Sequence, residues 1–392
     1  MRIQVGIVGA GPAGLFLSHL LHRAGVDCIV LEARSRQYVE NRVRAGVLEY
    51  GTVDLMHELG LDDRLRRESM ADHALDIRFL GRIIHLDLPA LTGGRWATIY
   101  GQQEVVKDLI AARLTVGGEI LFEAAVVGLD GLDGSRPTIR YRHEGSEQTL
   151  ESAVIAGCDG FHGVCRTAVP DSVLTVYDRI YDMGWLGVLS RSPPIKEMTY
   201  ANHERGFALC SRRSPHVSRH YVQCAADEDP DTWSDARFWD ELHTRMGDEG
   251  RSEIVEGEIF QKDVARLRAF VAAPMQYGRL FLAGDAVHIV PPTGAKGLNL
   301  AVADVRVLAR ALSDYFRTGS RDRLDRYSEV CLQRVWKAVR YSTYMTGLLH
   351  RFPAQSGFDR QLQLTELDYI AGSQAASTVI AENYVGLPFD DR

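Results

Sequence analysis

Residues 278–305 read GRLFLAGDAVHIVPPTGAKGLNLAVADV. The apolar run Leu280 to Ala283 predicts a buried strand that ends at Gly284-Asp285. A tight loop carrying Pro291, Pro292, Gly294 and Gly297 follows, and an apolar helix is expected to open near Leu298. This stretch has a counterpart at the other end of the chain, where Ile3 to Val8 runs into Gly9-Ala10-Gly11-Pro12-Ala13-Gly14 and a second helix. Two strand-to-helix turns, far apart in sequence, each offer helix N-terminal amides to an anion. Together they predict one large phosphate-bearing ligand gripped from two sides.

The N-terminal turn is the more specific of the two. Gly9-x-Gly11-x-x-Gly14 follows a strand and opens a helix over Leu15 to Ala24, and Cys28 to Leu31 reads as a second strand. This is a βαβ unit of about 30 residues. Its glycines serve the tight turn, the approach of backbone to a pyrophosphate and close helix–strand packing. Glu32 ends the second strand, where a carboxylate can accept hydrogen bonds from ribose hydroxyls. There is one such fingerprint, so either one dinucleotide binds or a second binds without a module of its own.

The chain of 392 residues is long enough for two or three domains. A net charge of −7, from 45 Lys+Arg against 52 Asp+Glu, argues against nucleic-acid binding. No secretory signal is expected, and no apolar run reaches membrane-spanning length. Cys28, Cys158, Cys165, Cys210, Cys224 and Cys331 form no CxxC, and are expected to be free thiols in the cytoplasm. No metal site is expected.

Gly46 to Leu59 and Gln103 to Leu114 carry apolar residues at helical spacing, while 119–156 alternates as an antiparallel meander returning to the main sheet. Strand-like runs recur over 175–275 (Trp185 to Leu189, Phe207 to Cys210, His220 to Cys224), with a helix near Asp235 to Arg245. Beyond residue 305 the chain reads as mainly helical, Leu324 to Leu349 being the longest candidate. Its apolar and aromatic residues, Trp336, Tyr341, Tyr344, Met345, Leu348 and Leu349, suit a core or a subunit interface. The expected fold class is α/β: a Rossmann-type βαβ domain over 1–175, an inserted mixed-sheet substrate domain over 176–290 and a helical C-terminal region over 291–392. The strand at 278–285 is expected to return to the first domain.

Three segments carry a family resemblance: GAGPAG with Glu32, the Ala156-Gly157-Cys158-Asp159-Gly160 turn followed by Arg166, and Gly284-Asp285 with its proline-rich sequel. This set resembles the single-component flavoprotein aromatic hydroxylases, which implies that the dinucleotide is FAD. Longer motifs narrow the likeness: Arg42 to Glu49, Tyr200 to His203, Arg205 to Ser211, Pro291 to Asn299 and Ala381 to Gly386. They resemble, over essentially the full length, those members that hydroxylate 4-hydroxybenzoate at its 3-position. That resemblance implies a small aromatic acid as substrate, NADPH as co-substrate (NADH remaining possible), O2 as oxygen donor and a homodimer. A related hydroxylase for a different hydroxylated aromatic acid is the alternative reading.

Residue by residue, the resemblance assigns Arg213, with Ser211 and Tyr221, to the substrate carboxylate. A guanidinium fork suits that task, and strand alternation puts Ser211 and Arg213 on one face with Arg212 on the other. Tyr200 would activate the substrate phenol, Tyr384 would relay its proton, and Pro292 would offer a backbone carbonyl to the phenol. For FAD the carried-over residues are Gly9, Gly11, Gly14, Glu32, Arg42, Arg44, Gln102, Asp159, Arg219, Asp285, Lys296, Leu298 and Asn299. Tyr38, His162 and Arg268 match nicotinamide positions, together with Arg42; Arg34 and Arg36 add positive charge suited to a 2′-phosphate. One departure bears on mechanism. Where the family carries a proton-relaying histidine, this chain has Asp72 with His73 beside it, so the relay is expected to run through one of the two.

Overall fold

The computed structural model of the protein describes residues 2–389. Its N-terminal sheet is built on the expected βαβ unit. Strand Arg2–Val8 pairs in parallel with Cys28–Leu31 on one side and with Ser146–Gly157 on the other. Leu280–Leu282 adds in parallel beyond Ser146–Gly157, and Glu119–Leu121 adds beyond Cys28–Leu31. The run Val5 to Val8 is buried, as a central strand covered on both faces requires. Ala125–Asp130, Thr138–His143 and Ser146–Gly157 form the antiparallel meander, and the last of them returns to the main sheet as expected. Helix Pro12–Arg23 packs on this sheet between Gln102–Thr115 and Gly297–Thr318.

The second sheet has eight strands in the order His288–Ile289, Glu258–Ala273, Thr175–Arg191, Val217–Ala225, Gly206–Ser214, Met198–His203, Ala74–Phe79 and Arg82–Asp87. One face is covered by Asp235–Glu253, whose Phe238, Trp239 and Leu242 pack on Leu186, Ala208 and Val222. The other meets the C-terminal helices Tyr327–Leu349, Gly357–Gly372 and Gln374–Val385 through a core that includes Trp185, Tyr200, Phe207, Tyr341 and Tyr384.

The structure departs from the sequence reading in three places. Strands Ala74–Phe79 and Arg82–Asp87, assigned to the first domain, belong to the second sheet, where Ala74–Phe79 pairs in parallel with Met198–His203. Gly46 to Leu59 is not one helix. Val47–Leu48 pairs with Ala97–Ile99 in a three-stranded sheet with Met70–Asp72, and the helix begins at Tyr50. Helix Asp235–Glu253 runs past Arg245, but its regular geometry breaks at Gly247, whose φ is 75°.

Candidate active site

The two turns that opened the sequence reading meet in space. A Cβ added to Gly284 would stand 3.1 Å from Ala301 Cβ and 3.5 Å from Ala13 Cβ, so this glycine is held between the first turns of the two helices. Neither helix, Pro12–Arg23 nor Gly297–Thr318, has a side-chain N-cap, which leaves first-turn amides for a ligand. Gly9 adopts φ 103°, and a Cβ there would collide with the Cys158 carbonyl at 2.4 Å. The first turn therefore lies against the Cys158-Asp159 turn that resembles the family's second cofactor motif. Glu32 accepts from the Ala10 amide at 2.8 Å and from the Arg34 amide at 2.8 Å, which fixes the carboxylate beside the glycine turn.

A buried ion pair supports the other turn. Asp304, in the C-terminal helix of the pair, accepts from the Gly284 amide at 3.0 Å and pairs with His288 Nε2 at 2.6 Å. Burial alone would lower the His288 pKa, but the charge and hydrogen bond of Asp304 outweigh it and hold the imidazole above its usual value. A raised histidine pKa contributes stability that is fully present below the unfolded value and is lost as pH rises through the folded value. Asp304→Asn is accordingly expected to cost about 3–5 kcal/mol by leaving a buried imidazolium unpaired. Thermal melts should show the largest drop on the acid side of neutrality.

Asp285 and Arg44 are open to water yet closely surrounded by protein, so both face a cleft. Burial pushes the Asp285 carboxyl up, against the pull of His288, Arg44 and Arg42. Burial likewise pulls Arg44 down, helped by Arg42 and opposed by Asp285, Tyr38 and Asp263. Arg219 reaches the same cleft: it donates to the Arg44 carbonyl at 3.4 Å, faces Asp263 at 3.7 Å and lies over the Tyr221 ring at 5.0 Å. Asp159 accepts from the Cys165 amide through Oδ2, and its buried Oδ1 has no partner. Free helix amides, an orphaned carboxylate oxygen and crowded arginines in a cleft fit a dinucleotide with two phosphates. Bound FAD would be held by these groups.

Lys296 and Asn299 line this wall through contacts within the protein. Lys296 is buried, pairs with Glu49 at 2.7 Å and donates to the Asn383 carbonyl. Asn299 accepts from the Glu49 amide at 2.9 Å and from Thr52 Oγ1 at 2.8 Å, and donates to the carbonyls of Val47 and Ala295. Both clamp the loop 291–299 to the start of the helix at Tyr50, and Lys296 also ties it to the C-terminal helix, with Leu298 half-buried in the first helical turn. Gln102 opens helix Gln102–Thr115, and its amide donates to the Ala45 carbonyl at 3.1 Å.

The residues that the resemblance assigns to the substrate lie on or beside the second sheet. Arg213 donates to Gln103 Oε1, and its guanidinium also lies against Gly46 and Gly101. Burial, reinforced by Arg219, pulls its pKa down to about 10, which still leaves it charged at neutral pH. Ser211 is buried, and its hydroxyl donates to the Arg219 carbonyl at 2.8 Å, so this donor is spent between neighbouring strands. Tyr200 is 2% exposed and donates to the Thr293 carbonyl at 3.0 Å. The Pro292 carbonyl, assigned from the sequence to the phenol, accepts from the Ala295 amide at 2.9 Å and closes the turn. Tyr384 donates to Asp72 Oδ2 at 3.1 Å and lies 2.9 Å from Met198 Sδ. Burial raises the hydroxyl pKa values of both tyrosines, and Asp72 adds to each.

His73 does not join them. It is exposed, lies against Trp96 at 5.4 Å, and belongs to the opposite side of the chain from the fully buried Asp72. Alternation along an extended segment explains the split. Sequence reasoning also missed Arg212, which pairs with Asp72, and Glu49, which pairs with Lys296. Strand alternation set Arg212 on the face away from Arg213, and its partner Asp72 lies 140 residues earlier in the chain.

At the nicotinamide positions, Arg268 pairs with Asp178 at 2.5 Å and lies over the Phe161 ring at 4.4 Å. Arg166 covers the same ring at 4.6 Å, and His162 packs against it at 5.1 Å. Arg34 and Tyr38 form an exposed pair, with guanidinium to ring centroid 5.3 Å.

Residues 2–342 match the family model described as FAD binding domain. Over 391 residues the chain is 46% identical to the p-hydroxybenzoate hydroxylase of Acinetobacter baylyi, covering 100% of this chain and 96% of that one. It belongs to the p-hydroxybenzoate hydroxylase family. The protein is thus an FAD-dependent aromatic monooxygenase. A more distant relative is the 3-amino-4-hydroxybenzoate 2-monooxygenase of Streptomyces cremeus, 27% identical over 79% of this chain and 78% of that one. The crystal structure of the p-nitrophenol 4-monooxygenase of Pseudomonas putida shares the fold, with a TM-score of 0.81, 21% identity and 99% coverage of both chains.

Proposed function

We propose that this enzyme hydroxylates 4-hydroxybenzoate at its 3-position to 3,4-dihydroxybenzoate, using NADPH and O2. One observation carries the reading: the half-buried, charged Arg213 and the buried Tyr200 both lie close to Tyr221, and Tyr384 lies close to Tyr200. This suits a flat molecule with a carboxylate at one end and a phenol at the other. The Arg213 fork would leave Gln103 and take the carboxylate, with Tyr221 beside it. Tyr200 would turn its hydroxyl from the Thr293 carbonyl to the phenol, and Tyr384 and Asp72 would take the proton onward. A phenolate is more electron-rich at its ortho carbon, which is where the oxygen atom is to be added. Bound FAD supplies the redox chemistry, accepting hydride from the nicotinamide and activating O2.

NADPH is favoured over NADH by the positive charge of Arg34, Arg36, Arg42 and Arg44 around Tyr38, which suits a 2′-phosphate; Glu40 pairs with Arg36 at 2.6 Å and opposes it. His162 and Arg268 would complete the nicotinamide contacts. A homodimer is supported by Phe358, Leu362 and Tyr369, which leave helix Gly357–Gly372 at 72%, 54% and 62% exposed. No helix among the described residues is long and apolar enough to cross a membrane, and the six cysteines are unpaired. Both agree with a cytoplasmic enzyme of aromatic catabolism.

The test is NADPH oxidation by the FAD-loaded enzyme with and without 4-hydroxybenzoate, with product analysis. Oxidation should rise at least about tenfold with the substrate and yield 3,4-dihydroxybenzoate in near-equal amount. Oxidation that ignores 4-hydroxybenzoate but responds to another hydroxylated aromatic acid would overturn the substrate assignment.

A further inference from the structure

Asp72 has no exposed surface, yet it is the meeting point of three elements. Its Oδ2 accepts from Tyr384 in helix Gln374–Val385, and its Oδ1 is paired with Arg212 in strand Gly206–Ser214. The same Arg212 nitrogen donates to the Ala71 carbonyl at 2.9 Å, while its buried Nε has no partner. Arg212 keeps 14% of its side chain exposed, so the pair runs from the buried tyrosine to the edge of solvent. We propose that Arg212 is a positioning residue that holds the Asp72 carboxyl group aimed at Tyr384, so that the buried carboxylate is the acceptor at which the phenol proton leaves the site. The function rests on the hydroxylase reading above; the electrostatic part does not.

The charges facing Asp72 are Arg212, Tyr384, Glu197 just before strand Met198–His203, and Tyr200 within that strand. Burial, with Glu197 adding to it, leaves the carboxyl above its ordinary value, while Arg212 is the largest opposing influence and Tyr384 the next. Without Arg212 the carboxyl would hold its proton at higher pH, and a protonated Asp72 donates to Tyr384 instead of accepting from it. In the transfer, the substrate O–H bond breaks with its electron pair staying on the phenol oxygen. Tyr200 and Tyr384 each give one proton as they gain one, and Asp72 Oδ2 gains the last. The proton then passes to water beside Arg212, which regenerates the carboxylate. Tyr200 lies close enough to Tyr384 to raise its hydroxyl pKa.

The substrate-free test is an infrared pH titration of the FAD-loaded protein, following the protonated-carboxyl band that Asp72→Asn removes. In Arg212→Gln the band should titrate at least about one pH unit higher than in the wild type, the smaller shift expected for loss of a neighbouring opposite charge. Arg212→Lys should restore most of that difference, and it carries the test if Arg212→Gln does not fold. With 4-hydroxybenzoate, the acid limb of the hydroxylation profile should move up by the same amount, and Arg212→Gln should add no shift in an Asp72→Asn background. An unmoved band, or a pH shift that persists without Asp72, would overturn the proposal. A moved band in a protein that does not hydroxylate 4-hydroxybenzoate would count against the substrate assignment and leave the Arg212–Asp72 coupling standing.

Discussion

Arg213→Met is expected to weaken 4-hydroxybenzoate binding by about 10²–10³-fold. The replacement keeps much of the apolar stem and removes the charge. A charge-paired guanidinium in a desolvated site contributes about 2–5 kcal/mol when its partner would otherwise be left unpaired, and this guanidinium is deep enough that burial pulls its pKa to about 10. In the free enzyme the cost is small or even favourable, because the neutral Gln103 side chain is the one hydrogen-bond partner of Arg213 among the described residues. The effect should thus fall on substrate dissociation, while the melting temperature stays flat or rises. Equilibrium titration of the FAD-loaded variant checks it. A melting temperature that falls steeply with unchanged substrate affinity would show Arg213 to be a structural residue.

Tyr200→Phe is the second large expectation: a drop of about 10²–10⁴-fold in the hydroxylation step, the range for removing a positioned proton-transfer group. The signature is a split in which substrate binding changes little. Arg213 still holds the carboxylate, and the ring keeps its place against Phe207 at 5.8 Å. Some stability loss accompanies it, about 1–3 kcal/mol, because the Thr293 carbonyl loses its buried donor. Single-turnover product formation separates the two effects, since a purely structural change would slow binding and chemistry together.

The dinucleotide half of the molecule was legible because its signals are local. Strand, glycine turn, helix and acid lie within the first 32 residues, and Cys28–Leu31 forms as read. The substrate half was harder because its sheet is assembled from distant segments. Ala74–Phe79 gave no local sign that it pairs with a strand more than a hundred residues later, carrying Arg82–Asp87 with it as the sheet edge. Thr175–Arg191 is a strand of 17 residues, but only its buried centre around Trp185 reads as one, since Val176, Tyr177 and Ile180 are exposed. The tyrosines and Arg213 were singled out through their motifs, whereas the pairing of Arg212 with Asp72 spans 140 residues and no spacing rule reveals it. The choice between Asp72 and His73 was the opposite case. Alternation along an extended segment decides it, and only the missing strand assignment at Met70–Asp72 kept it open.

The central claim is an orientation: carboxylate on Arg213, phenol between Tyr200 and the loop after Pro291. A crystal structure of the FAD-loaded enzyme with 4-hydroxybenzoate tests it most directly. The account predicts the Arg213 fork on the carboxylate, released from Gln103, with the phenol oxygen within hydrogen-bond distance of Tyr200 and Tyr384 still on Asp72. A substrate bound with its carboxylate toward Tyr200, or with Arg213 still on Gln103, would contradict it.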